Sequence, residues 1–226
     1  MAAIVDVHHE DSIATITMDD GKVNVLSLQM LEELGAALDT AEAERAVVVL
    51  VGREGKLCAG FDLGVLRGGG ADAVAMLRGG FELAERLLSF PTPVVIACTG
   101  HTVAMGVFLL LSGDYRIGAF GPYKVIANEV AIGLTMPNAA IEICRQRLTP
   151  AAYNRAVILA EPFTIDDAAI AAGFLDRVVP EAELHEAART TATTLAALDF
   201  DAHAATKLRT RGQALEALRA AIDAEF

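Results

Sequence analysis

Apolar and polar positions alternate one for one in two short runs near the start of the chain, Ile4 to His8 and Ile13 to Met18, with the polar triplet Glu10-Asp11-Ser12 between them. A period of two is the mark of strands, so these runs predict a hairpin. From Ser27 the spacing opens to Leu28, Leu31, Leu34, Ala37 and Leu38, the step of one helix face, and Ser27 is placed to cap its first turn. Solid apolar runs at Ala46 to Val51 and Pro93 to Cys98 predict buried strands. Between them Gly68-Gly69-Gly70 predicts a mobile connection into an amphipathic helix carrying Phe81, Leu83, Leu87 and Leu88, which Pro91 and Pro93 close off. Val103 to Leu111 then predicts an apolar helix and Tyr115 to Ala119 a strand.

The last third predicts helices. Thr149-Pro150 has the residue types of an N-cap followed by a first helical position, and Thr164-Ile165-Asp166-Asp167 offers a capping start that Gly173 terminates. Small residues dominate the stripes from Glu181 onward, which suits helix packing or subunit contact better than catalysis.

Composition narrows this α/β picture. The chain has 226 residues, 54% of them hydrophobic, enough for one well-filled core with a helical annex. Its longest apolar runs fall far short of the ~20 residues that span a bilayer. The N-terminal segment Met1 to Glu10 lacks a basic stretch followed by a sustained apolar one, so no secretory signal and a cytoplasmic location are expected. Cys58, Cys98 and Cys144 are too far apart for a zinc site or a disulfide framework and are expected to be buried thiols, with no metal. A formal charge of -12 disfavours nucleic acid as a partner.

Two small-residue loops each follow a strand and can present bare backbone N–H groups: Cys58-Ala59-Gly60-Phe61-Asp62-Leu63 and Gly100-His101-Thr102-Val103-Ala104-Met105-Gly106. Glu129 lies downstream in Lys124 to Leu134 with no evident second carboxylate. Taken singly these features are bland. An acid beside a strand is mostly solvated, Ala59-Gly60-Phe61 is a tight turn, and His101 has no Ser/Asp constellation around it. The Gly68 to Gly70 run has no P-loop Lys-Ser/Thr after it. Asp62 and Asp114 suit loop fixing, Glu82 and Glu85 a solvated helix face, and Phe108 core packing.

Together, however, these segments resemble the enoyl-CoA hydratase/isomerase (crotonase) superfamily over about Ile4 to Glu181. Lys22-Val23-Asn24-Val25-Leu26-Ser27 is similar to the family's first CoA-contacting turn and Ala59-Gly60-Phe61-Asp62-Leu63 to its A-G-x-D-[LI] motif. Ala104-Met105-Gly106 to Asp114 resembles the second oxyanion loop and its helix, and Phe174-Leu175-Asp176-Arg177-Val178-Val179-Pro180 the G-[LF]-[VL]-x-x-V-V-P signature. Met105 stands where a glycine is usual.

The resemblance implies a spiral of β-β-α units over residues 1–180, a helical region over 181–226, and assembly as trimers or pairs of trimers. It also implies an acyl-CoA substrate, whose CoA is no separate cofactor. Phe61 and Met105 become the oxyanion donors and Glu129 the catalytic base. Lys22, Val23, Val25, Ala59, Asp62, Leu63, Gly106 and Phe108 become substrate contacts. Hydratases of the family carry two glutamates; here the first position holds Phe108 and only Glu129 remains, a pattern similar to Δ3,Δ2-enoyl-CoA isomerases. The implied reaction is a double-bond shift, with 2-enoyl-CoA hydration and non-catalytic acyl-CoA binding as alternatives. The chain also ends earlier than is usual in the family, so a missing terminal helix is expected.

Overall fold

The computed structural model describes residues 2–226. Strands β1 (Val5–Glu10) and β2 (Ile13–Met18) form the predicted antiparallel hairpin, with Glu10 opposite Ile13. β3 (Val25–Leu26) leads into α1 (Leu28–Ala43), where the Ser27 hydroxyl accepts from the Met30 N–H as its cap. The VVVLV run is β4 (Val47–Val51), and it is buried along its whole length because both faces are covered. Val48 and Leu50 face the core shared with α1, while Val47, Val49 and Val51 face a second, smaller core.

Beyond β4 the chain repeats a strand-strand-helix turn. The first adds β5 (Gly55–Cys58), β6 (Gly60–Phe61), α2 (Leu63–Gly68) and α3 (Gly70–Ser89); the second adds β7 (Val94–Cys98), β8 (Gly100–Val103) and α4 (Met105–Leu111). β4 and β7 run parallel in one part of the sheet, β5 and β8 parallel in another. Joining the two parts is β9 (Tyr115–Ile126), whose first half pairs with β7 and whose end pairs with β8.

The remaining elements are α5 (Asn138–Arg147), α6 (Pro150–Leu159), β10 (Phe163–Ile165), α7 (Asp167–Ala172), β11 (Arg177–Pro180), α8 (Leu184–Leu195) and α9 (Phe200–Glu225). α8 covers the smaller core, and α9 packs against α3 and α5.

Several expectations change. The glycine run is no loop: Gly69 alone, at φ +64, separates α2 from α3. Val103 belongs to β8 and the apolar helix starts at Met105, because Ala104 leaves helical geometry. The strand predicted to end at Ala119 continues to Ile126. A terminal helix is present rather than missing, and α9 is the longest helix among the described residues. Glu85 does not face open solvent but pairs with Arg219 of α9.

Candidate active site

The first loop is built from a rigid turn. Asp20 receives the Lys22, Asn24 and Val25 N–H groups at 2.7, 2.9 and 3.0 Å. Its pKa falls below the ordinary value: burial pushes it up, but these backbone donors outweigh burial and Arg53 adds to them. Asn24, fully buried, adopts the left-handed φ of 57 that asparagine tolerates, and its amide donates to the Met18 and Leu57 carbonyls. The turn thereby fixes β3, on which β6 lies in register, Val25 opposite Gly60 and Leu26 opposite Phe61. Asp62, next in line, caps α2 by accepting from Gly64 at 2.7 Å.

Gly60 sits at φ +91, and a side chain there would come within 2.9 Å of the Ala104 methyl. Only glycine fits, and the two loops meet at this point. Ala104 holds φ 51 and ψ −124, a sparsely populated backbone state for a residue with a Cβ. Its N–H is tied to the Ile126 carbonyl at 2.9 Å, so β9 keeps the strained residue in place. Met105 then begins α4, where a first-turn N–H has no carbonyl partner within the helix. Gly106 packs on Cys58, and the other end of α4 is capped by Arg147, which donates to the Leu111 and Gly113 carbonyls. The favourable cation at a helix C-terminus helps hold the loop's helix in place.

Three residues after Ile126, the end of β9, Glu129 opens a short 3-10 turn, and its carbonyl accepts from Ile132 and Leu134 at 3.1 and 2.9 Å. The side chain is buried, 8% exposed, and Oε2 has no hydrogen-bond partner. Burial raises its pKa above the ordinary carboxylate value, a shift its own backbone N–H partly offsets. Beside it the Asn128 amide oxygen is likewise buried and unpaired. Two adjacent orphaned acceptors are costly in a folded protein unless something else binds there.

A mainly apolar cavity of about 220 Å³ lies between these parts. Of the residues singled out in the sequence, Ala59, Phe61, Leu63, Phe108 and Glu129 line it. Met105 and Gly106 sit buried immediately behind Ala104, which does line it. Lys22 and Val23 are exposed on the turn that carries β3, and neither they nor Val25 and Asp62 form part of the cavity wall. Sequence reasoning passed over Ala104, Asn128, Leu77 and Phe81 as wall residues. For Phe81 a signal existed in the helix stripe, but core and pocket share that face. His101 stays outside the cavity, exposed, accepting from the Lys124 N–H at 3.2 Å.

A sheet wound through repeated strand-strand-helix turns, with both turn loops and one buried acid converging on a single cavity, is the crotonase architecture. The chain belongs to the enoyl-CoA hydratase/isomerase family, whose model matches residues 8–226, and it is an enzyme of that family. An enoyl-CoA isomerase of Mycobacterium tuberculosis superposes with a TM-score of 0.95 at 49% identity over 100% of both chains. An enoyl-CoA hydratase of Mycobacterium marinum does so at 0.94 and 50%, over 99% of each. Among curated sequences, the mitochondrial enoyl-CoA delta isomerase 1 of Rattus norvegicus is 30% identical across 82% of this chain and 66% of its own. The relatives thus carry both reaction names at equal similarity.

Proposed function

We propose that the protein shifts the double bond of a 3-enoyl-CoA thioester to the 2-position. The observation that carries the reading is that, among the described residues, Glu129 is the one acid lining the cavity; Phe108, whose position resembles that of the hydratases' first glutamate, lines it with an apolar ring. A double-bond shift needs one group to take a proton and give it back. Hydration must orient and deprotonate a water as well as protonate carbon, which two carboxylates do more readily.

In this reading Glu129 takes a proton from C2. Charge moves to the thioester oxygen, which the Phe61 and Met105 N–H groups receive, and protonated Glu129 returns the proton to C4. Loss of one such donor costs about 3 kcal/mol in other enzymes, so backbone placement weighs more than side-chain identity at these two positions. The apolar wall keeps water from the dienolate. Because its pKa is raised, Glu129 holds a proton more readily than an exposed carboxylate, as the second half of the reaction requires. The exposed Lys22 and Val23 suit the CoA moiety outside the cavity. Cytoplasmic β-oxidation and a homotrimer or pair of trimers complete the proposal; sedimentation checks the assembly.

Hydration of 2-enoyl-CoA is the second reading, favoured by the unpaired Asn128 oxygen, an acceptor beside Glu129 on which a water could be held. One experiment separates them. Purified protein is given 3-enoyl-CoA and 2-enoyl-CoA in parallel, with products resolved by chromatography. Isomerisation predicts 2-enoyl-CoA from the first and little 3-hydroxyacyl-CoA from the second; the reverse result would overturn it.

A further inference from the structure

Part of the cavity wall is made of aromatic rings that support one another. Phe81 of α3 lines it and is 1% exposed. Three other rings pack against Phe81: Phe61 edge-on at 6.2 Å, Phe108 stacked at 6.1 Å and Phe226 stacked at 5.5 Å. Phe61 and Phe108 also line the cavity, whereas Phe226 stands behind Phe81 and does not. A single aromatic side chain can rotate out of the way of a ligand; one gripped on three sides must move its neighbours with it.

Phe226 is itself anchored. Glu225, just before it, accepts from the Asn138 N–H and the Asn138 amide, both at 2.8 Å, and so fastens the end of α9 to the start of α5. A carboxylate at a helix N-terminus is favourable, which strengthens the clasp. Farther back along α9, two ion pairs tie it to α3: Arg219 of α9 reaches Glu85 at 2.5 Å, and Arg78 of α3 reaches Asp223 at 2.6 Å. Gly80 adds a further constraint, since a methyl group at that position would run into the Phe61 ring. The wall is thus held from α9 as firmly as from α3.

We infer that Phe81, backed by Phe226, is the chain-length stop of the acyl site, restricting the enzyme to short and medium acyl groups. The cavity is small, about 220 Å³, and Phe81 forms part of its wall. A short acyl tail stops before Phe81, whereas a dodecenoyl tail must displace it. Phe81 and Phe226 are specificity-determining residues here. They contact the tail of the acyl chain or support that contact, and take no part in proton transfer. The inference rests on the acyl-CoA reading of the site but not on which reaction occurs there.

The test uses the full chain and two readouts. Affinities for saturated hexanoyl-, octanoyl- and dodecanoyl-CoA are measured by calorimetry, and turnover is measured with 3-hexenoyl- and 3-dodecenoyl-CoA. The wild type is expected to gain affinity from hexanoyl to octanoyl and lose it at dodecanoyl, with turnover following. Phe226→Ala, at a half-buried position, and the gentler Phe81→Leu are each expected to raise the dodecanoyl-to-hexanoyl affinity ratio by about tenfold, the gain from burying roughly two more methylenes. Equal wild-type affinity and turnover for all lengths would overturn the inference. So would an unchanged ratio in both variants when their thermal unfolding shows them folded. Absence of isomerisation with the affinity pattern intact would defeat the proposed reaction and leave the chain-length stop standing; absence of any acyl-CoA binding would defeat both.

Discussion

Glu129 has an unpaired carboxylate oxygen in an apolar cavity, and this single group makes two opposed demands on the molecule. Its pKa is raised chiefly by burial, so the folded state binds the proton more tightly than the unfolded chain does. Such a group favours folding at low pH and loses that contribution as pH rises from the ordinary value of 4.5 through the raised one. Glu129→Gln is therefore expected to be at least as stable as the wild type at neutral pH and to flatten this part of the stability profile, as read by denaturant unfolding across pH. For the proposed double-bond shift, the same substitution should lower kcat by about a thousandfold or more, because glutamine cannot carry the proton. In the wild type kcat/KM should rise with pH through an apparent pKa above the usual carboxylate range, since the free enzyme must hold its base ionised. A profile already flat across that range would argue against Glu129 as the base.

At the level of elements, function depends on short strands and turns held at fixed separations. β3 and β6 are two residues each, too short to persist alone, and they rely on the Asp20 and Asn24 turn on one side and Ala104 on the other. Gly60→Ala is expected to cost about 2 kcal/mol or more, from the positive φ and from the collision with the Ala104 methyl, and to lower kcat by separating the loops. Denaturant unfolding paired with steady-state kinetics checks both effects. A loss of stability without loss of kcat would show that the spacing of the loops is not what supports turnover.

Across the whole molecule, α9 is tied down by charge as well as by apolar packing. Asp114, just before β9, accepts from Lys207 at 2.6 Å and from Arg211 at 2.9 Å, and its Oδ2 also receives the Val94 N–H. Lys207 spends its other donors on the Phe90 and Thr92 carbonyls. These satisfied cations line an open hollow of about 430 Å³, where they serve to anchor the helix. On the other side of β9, Arg116 grips Asp176 with two nitrogens, at 2.9 Å each, which fixes the approach to β11. Asp114→Asn leaves two buried cations without their counter-charge and is expected to lower stability by about 3–5 kcal/mol, seen as a reduced denaturation midpoint. An unchanged midpoint would mean that solvent already compensates this cluster.

Period-two and helical spacing, the Ser27 cap and the all-apolar runs determined the hairpin, α1, β4 and β7, because these elements are selected by local geometry and by burial along a single segment. The motif residues likewise marked both loops and Glu129. What spacing did not contain was β5, β8 and the second half of β9, short or half-exposed strands whose pairing partners lie far away in sequence. Nor did it contain the contact between Gly60 and Ala104, the unpaired state of Glu129, or the ring of phenylalanines around Phe81. Those arise only when segments from α3, α4, β9 and α9 close on one another, so only the tertiary structure decided the shape of the cavity and the environment of its acid.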